Sequence, residues 1–189
     1  MRLTMISYAQ NDVLAGSLDG QKAFADLLQD TKISAEPEVY FLDFASIDVA
    51  TTSFLRDSVV AYRNHARSTW HSIYPVCANL SPHVYEEFHS FLTSRGDAFV
   101  ICSLDSEERI DNVEIIGKVD GKQAVALRGV LDLGEVDAQS LRAHMRENVA
   151  PTAWNNRLGA LVAKGILIEI GSGRNKRYRP VLEGLCYGT

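Results

Sequence analysis

Three short apolar runs, residues 39–44, 72–80 and 98–104, alternate with stretches of helical period, and this alternation restricts the possible folds more than any other feature. Val39-Tyr40-Phe41-Leu42-Asp43-Phe44 is β-branched and aromatic with little polar content, as suits a strand in the centre of a sheet. Ser72–Leu80 and Ala98–Leu104 read the same way, with Val113–Gly117 as a fourth, edge strand. Between them lie helices. Phe24, Leu27 and Leu28 recur at helical spacing in Gln21–Asp30. Phe54, Leu55, Val59, Ala61 and Tyr62 form an apolar stripe in Thr51–Ala66. Ser81-Pro82 opens a third helix that runs to about Ser94, before Gly96. Such alternation predicts an α/β domain, a mixed sheet layered with helices on at least one face. Ile6–Ala15 reads as an opening edge strand, Gly16–Gly20 as a turn or cap, and Asp105–Asn112 as a charged loop.

After Lys118 the pattern changes. Lys122–Leu133, Ala138–Met145 and Pro151–Lys164 are helical and joined by short polar turns, and Gly165 stops the third. Ile166–Ile170, the turn Gly171-Ser172-Gly173 and Arg174–Pro180 then read as a two-stranded hairpin. The reading is two domains, 1–118 and 119–189. Charge follows the same boundary. The net of −5 divides into 9 basic and 17 acidic side chains in 1–118, against 10 basic and 7 acidic in 119–189. Within 150–179, Arg157, Lys164, Arg174, Lys176, Arg177 and Arg179 face one acid, Glu169. This asymmetry suggests a basic working surface carried by an acidic partner domain.

Trp154, Leu158, Leu161 and Gly165 fall at i, i+4, i+7 and i+11, one face of a helix, which predicts a buried face. Thr152, Asn155, Asn156 and Gly159 then point outward. Short amides and a hydroxyl let a helix approach base edges, and Asn pairs bidentately with adenine. Arg157 would flank them near a phosphate, and Arg174, Lys176 and Arg177 would sit on the hairpin tip. The segment from Ala150 to Leu167, followed by Tyr178-x-Pro180, resembles the recognition helix and wing of the winged helix-turn-helix superfamily of bacterial and archaeal regulators. The resemblance spans 119–182 and implies a three-helix winged domain that binds duplex DNA, with a homodimer reading two half-sites as one arrangement it allows. Three alternatives stand beside it: a solvated basic loop, Trp154 as plain core, and a winged helix that contacts protein.

The stretch from Val39 to Asp57 resembles the STAS-like domains of unknown function, relatives of anti-sigma-factor antagonists. The shared pattern is an apolar strand ending in Asp-Phe, a short loop, and Ser/Thr-x-Ser-Phe opening a helix. In that family a hydroxyl at the loop–helix junction is phosphorylated by a partner kinase. The matching positions are Thr51 and Ser53, with Thr52 between, although the family's Asp-Ser-Ser-Gly signature is absent. The resemblance implies a phospho-switch or a protein partner, kinase or anti-sigma-like, at this site. The plainer reading is that the hydroxyls cap the helix, and an anion or partner contact is the third.

Catalysis is not expected. The five histidines show no short metal-ligand spacing, no Gly-x-Ser-x-Gly elbow or phosphate-binding loop occurs, and Glu86-Glu87 and Glu107-Glu108 are adjacent pairs that point apart on a helix. Asp43 and Asp48 flank a loop after a strand without an evident base or metal partner. Cys77, Cys102 and Cys186 are odd in number and widely spaced, as in a reducing compartment. With no secretory pattern at the N-terminus and no membrane-length apolar run, the expectation is a cytoplasmic regulator without membrane contact, cofactor or metal. A non-DNA signalling adaptor, binding proteins through both domains, is the alternative.

Overall fold

The computed structural model describes residues 1–8, 11–147 and 149–187, and of Arg174 the backbone alone. The described residues form a mixed α/β fold with six α-helices. Strands β1 (Arg2–Thr4), β3 (Glu38–Asp43), β5 (Ile73–Ala78), β6 (Ala98–Leu104) and β7 (Ile110–Gly117) form one sheet in that spatial order. The first four are parallel and β7 is antiparallel to β6. A second, two-stranded pair joins β2 (Val13–Leu14) to β4 (Val49–Ala50).

Three crossovers connect the parallel strands: α1 (Ser17–Asp30), α2 (residues 52–70) and α3 (Pro82–Ser94). Strand order follows chain order, so right-handed crossovers place all three helices on the same face. The buried side chains agree. Leu27 of α1, Phe54 and Tyr62 of α2, and Val84 and Phe88 of α3 share one cluster with Tyr40, Leu42, Cys77 and Phe99 of the sheet. A sheet wound in one direction leaves its other face bare. That face presents Tyr74, Val76, Ala78, Ala98, Val100 and Cys102, far too much apolar surface to leave in water.

The C-terminal third covers it. Helices α4 (Gly121–Leu133), α5 (Ala138–Met145) and α6 (Pro151–Ala163) precede the antiparallel hairpin of β8 (Leu167–Ile170) and β9 (Arg177–Pro180). Their Leu127, Val130, Leu141, Trp154, Leu158 and Ile168 belong to the same cluster as that sheet face. Polar contacts cross between the layers too. The Arg67 guanidinium donates to Val162 O and Ile73 O, and lies 3.7 Å from the centre of the Tyr74 ring. Tyr74 Oη accepts from Glu169 N at 3.1 Å, and Lys164 Nζ reaches Asp97 Oδ1 at 3.1 Å. One of the two core clusters thus spans residue 118, joining the sheet's second face to the C-terminal helices.

Local chemistry explains the element ends. Ser81 Oγ accepts from Val84 N, and Pro82 occupies the first turn of α3. Asp120 and Asp137 cap α4 and α5 in the same manner. Lys164 closes α6 and Gly165 follows at φ 76°. Gly165 N bonds Val162 O, and Ile166 N bonds Leu161 O, the paired bonds of a Schellman turn. A Cβ on Gly165 meets nothing nearer than Pro75 O at 3.9 Å, so only backbone strain opposes a side chain there. Gly165→Ala is expected to cost about 1–2 kcal/mol, read as a lower urea midpoint at unchanged m-value.

Several sequence expectations shift. The edge strand placed at Ile6–Ala15 is instead β1 at Arg2–Thr4, followed by a 3₁₀ turn over Met5–Tyr8 and the two-residue β2; Ala9 and Gln10 lie outside the described residues. Arg2 anchors β1 through two bonds to Asp43 Oδ2, at 2.8 and 2.6 Å. Gly16 caps α1, and residues 17–20 form its first turn. Helix α2 extends beyond Ala66 to Trp70 through two turns of i→i+5 type, Arg56–Val60 and Ala66–Trp70. Strand β7 begins at Ile110, inside the stretch expected as loop. The tail adds to its edge, with Cys186 N donating to Val113 O at 3.0 Å.

Candidate functional site

Helix α6 buries the face its spacing predicts: Trp154, Leu158 and Leu161 are fully enclosed. Thr152, Asn155 and Asn156 are exposed on the opposite face, with Gly159 half-buried between helix turns. The C-terminal end of α6 is the end tied to the sheet, through Val162 O and Lys164. The N-terminal half, which carries the amides, is thereby left toward solvent.

An open cleft of about 1030 Å³ separates α6 from the start of α5 and from the hairpin. Asn155 and Gly159 line one wall, Gln139 and Arg142 another, and Lys176 and Arg177 the third. The structure thus brings Asn155, Lys176 and Arg177 together. It places Thr152 and Asn156 on the same helix outside the cleft lining. Arg174 belongs to the hairpin turn, with only its backbone described.

Arg157 is committed elsewhere. Its Nη1 donates to Glu147 Oε2 at 2.7 Å and its guanidinium lies 4.6 Å from the Trp154 ring centre, with the side chain only 12% exposed. It pins the α5–α6 turn to α6 and is not a free phosphate ligand. The hairpin cations also have partners. Lys176 Nζ sits 2.8 Å from Glu169 Oε1, and Arg177 Nε sits 2.5 Å from Glu135 Oε1. Asp137, which lines the cleft, has its carboxyl held below the ordinary value, chiefly by the Ser140 N–H it accepts, with a contribution from Arg177.

Two further cations beside the cleft have no carboxylate partner among the described residues. Arg142 and Arg146 are exposed and follow Gln139 at i+3 and i+7, which lines them along one side of α5 and its C-terminal turn. That spacing is the signal the sequence carries for them, beside the richer basic segment of residues 150–179. The hairpin also gains a third chain: Val136 N bonds Tyr178 O at 3.0 Å, and Tyr178 N bonds Val136 O at 2.8 Å.

At the other end of the molecule, the hydroxyl cluster is consumed by structure. Thr51 Oγ1 accepts from Phe54 N at 3.4 Å and from Gly16 N at 3.2 Å, and lies 3.2 Å from Ser53 Oγ. Thr52 donates to Glu87 Oε1 through both its backbone N–H and its hydroxyl. A carboxylate from α3 therefore already sits on the positive N-terminus of α2, where an anion is favoured. Thr51 is the capping residue of α2, with Thr52 and Ser53 bonded to Glu87 and Thr51.

Asp43 is buried and fully used. Beyond Arg2, its Oδ1 accepts from Ala45 N at 3.0 Å and from Asn79 Nδ2 at 2.8 Å. Asn79 in turn bonds both Leu104 N and Leu104 O, clasping the ends of three strands. Burial pushes the Cys77 thiol well up and the Cys102 thiol to about 12, so both are protonated core groups. Among the described residues no group of three or more His, Cys, Asp or Glu side chains is placed to hold a metal ion, and no helix is long and apolar enough to cross a membrane. Comparison of the chain with family models, with curated proteins and with solved structures finds no match to any of them.

Proposed function

We propose that the protein is a DNA-binding regulator, in which residues 119–182 act as a winged helix-turn-helix and the α/β layer serves as a STAS-like module for partner binding or signal input. The cleft between α5, α6 and the hairpin carries this reading. It gathers an exposed asparagine face, an unpaired arginine and two hairpin cations around a concave opening, the combination that lets a helix enter a groove while flanking cations contact phosphates. Three helices followed by a hairpin support the same assignment.

Fluorescence anisotropy of the purified chain on a random duplex, across a salt series, tests the proposal. Binding is expected to weaken steeply with salt as phosphate contacts release counterions. The triple substitution Arg142→Ala, Lys176→Ala and Arg177→Ala is expected to lower the slope of log K against log salt by about 0.9 per lost contact. Absence of binding at low salt removes the reading.

A second reading, the non-DNA signalling adaptor, is favoured by one observation. Val13 and Val49 of the β2–β4 pair and Leu18 of α1 are exposed at 42%, 41% and 73%, beside the Thr51–Ser53 junction. That apolar surface suits a protein partner. On this reading the triple substitution leaves partner binding unchanged.

A further inference from the structure

We propose that Glu135 and Glu169 form an internal latch on the nucleic-acid surface, holding Arg177 and Lys176 in ion pairs that phosphates must displace. The inference rests on the DNA-binding reading and concerns how that site is regulated.

Three observations carry it. The two hairpin cations lining the cleft each touch a carboxylate, Arg177 to Glu135 and Lys176 to Glu169, while Arg142 on the opposite wall touches none. The two acids come from different elements. Glu135 follows α4, and its backbone carbonyl also accepts from Arg177 Nη2 at 3.3 Å, whereas Glu169 lies in β8. Two separate segments thus converge on adjacent hairpin residues. Finally, these carboxylates do no capping. Asp120 and Asp137 nearby each accept helix N–H groups, but the side chains of Glu135 and Glu169 accept none and remain 42% and 26% exposed.

Ion pairs at this exposure add little to folding stability, and Glu169 faces the buried Tyr178 hydroxyl as well. Their effect falls on binding. A phosphate that approaches Arg177 or Lys176 competes with a carboxylate already in place at 2.5 or 2.8 Å. Binding is weaker by the cost of separating each pair. A phosphate can offer Arg177 two parallel hydrogen bonds, so a correctly placed backbone outcompetes the carboxylate and a badly placed one does not. The latch therefore suppresses loose, sequence-independent attachment more than a fully docked complex.

The test compares the wild-type chain, Glu135→Gln/Glu169→Gln and a charge-matched control, Glu107→Gln/Glu108→Gln, by anisotropy on a random duplex at matched salt. The control residues lie in the loop between β6 and β7, outside the cleft lining. The cleft variant is expected to bind roughly tenfold tighter than wild type, and the control about twofold or less. Adding Lys176→Ala and Arg177→Ala to the cleft variant is expected to abolish its gain. Unchanged circular dichroism and melting temperature establish that the variants are folded. Binding by the cleft variant alone supports the latch and the DNA reading together. Equal gains from both Glu-to-Gln pairs, or no gain while the wild type binds, overturn the latch and leave the DNA reading standing. Failure of every form to bind at low salt overturns both.

Discussion

Trp154→Ala is expected to lower the stability of the whole chain by about 3–5 kcal/mol and to leave unfolding as a single transition. The indole is fully enclosed and is the largest such side chain in the protein. Its cluster joins Leu127, Leu141 and Leu158 of the C-terminal helices to Tyr74, Val76 and Val100 of the sheet. Truncation leaves a cavity between two layers that cannot close without moving α6, which Arg67 and Lys164 hold against the sheet. For a chain of this length the melting temperature should fall by roughly 6–20 °C. Melting followed in parallel by far-ultraviolet and near-ultraviolet circular dichroism checks the result. Coincident curves are expected, because the bare sheet face has no other cover. Two transitions, with only one shifted, would show that residues 119–189 fold independently of the sheet.

The second large effect is expected at Arg63. Its guanidinium is buried, donates to both carboxylate oxygens of Asp97 at 2.6 and 3.2 Å and to Ala98 O at 2.9 Å, and lies 5.2 Å from the Phe99 ring centre. Asp97 also receives Lys164, so this one carboxylate links α2, the start of β6 and the end of α6. Arg63→Met removes one partner and leaves the carboxylate short of a buried cation, at an expected cost of about 3–5 kcal/mol at neutral pH.

The penalty depends on pH with a definite sign. Burial pushes the Asp97 carboxyl up, but the Arg63 hydrogen bond and charge, with Ala98 N–H and Lys164, hold it below the ordinary value. A group depressed in the folded state stabilises above its unfolded pKa, and that contribution is lost as pH falls through the lower folded value. The gap between wild type and Arg63→Met is therefore largest at neutral pH and narrows below about pH 4. Urea unfolding at pH 7 and pH 3 measures both. A gap that stays constant would place the cost in lost packing over Phe99.

Much of this architecture was legible in the sequence because it follows from periodicity. The runs 39–44, 72–80 and 98–104 are predominantly apolar and became β3, β5 and β6, strands covered on both faces. The i, i+4, i+7 spacing of Trp154, Leu158 and Leu161 marked the buried side of α6, and Ser81-Pro82 marked the start of α3. Local hydrogen bonds and burial periods are properties of neighbouring residues, and a sequence states them directly.

Pairings between distant residues are not stated there. Strand β1 has three residues, too few to show a period, and exists because it pairs with β3 and because Arg2 reaches Asp43, 41 positions away. The charge asymmetry between 1–118 and 119–189 was visible, yet its meaning changed on folding. Arg157, Lys176 and Arg177 met Glu147, Glu169 and Glu135, while Arg142 met no carboxylate among the described residues. The hydroxyls of Thr51 and Thr52 found partners that the sequence could not name, Gly16 N and Phe54 N for Thr51 and Glu87 for Thr52. Local spacing alone was enough to mark the three central strands, the main helices and the apolar side of each, since those depend on neighbouring residues. Only the tertiary structure decided that the C-terminal helices cover the sheet's second face and which charges remain free, because both depend on contacts made across the whole chain.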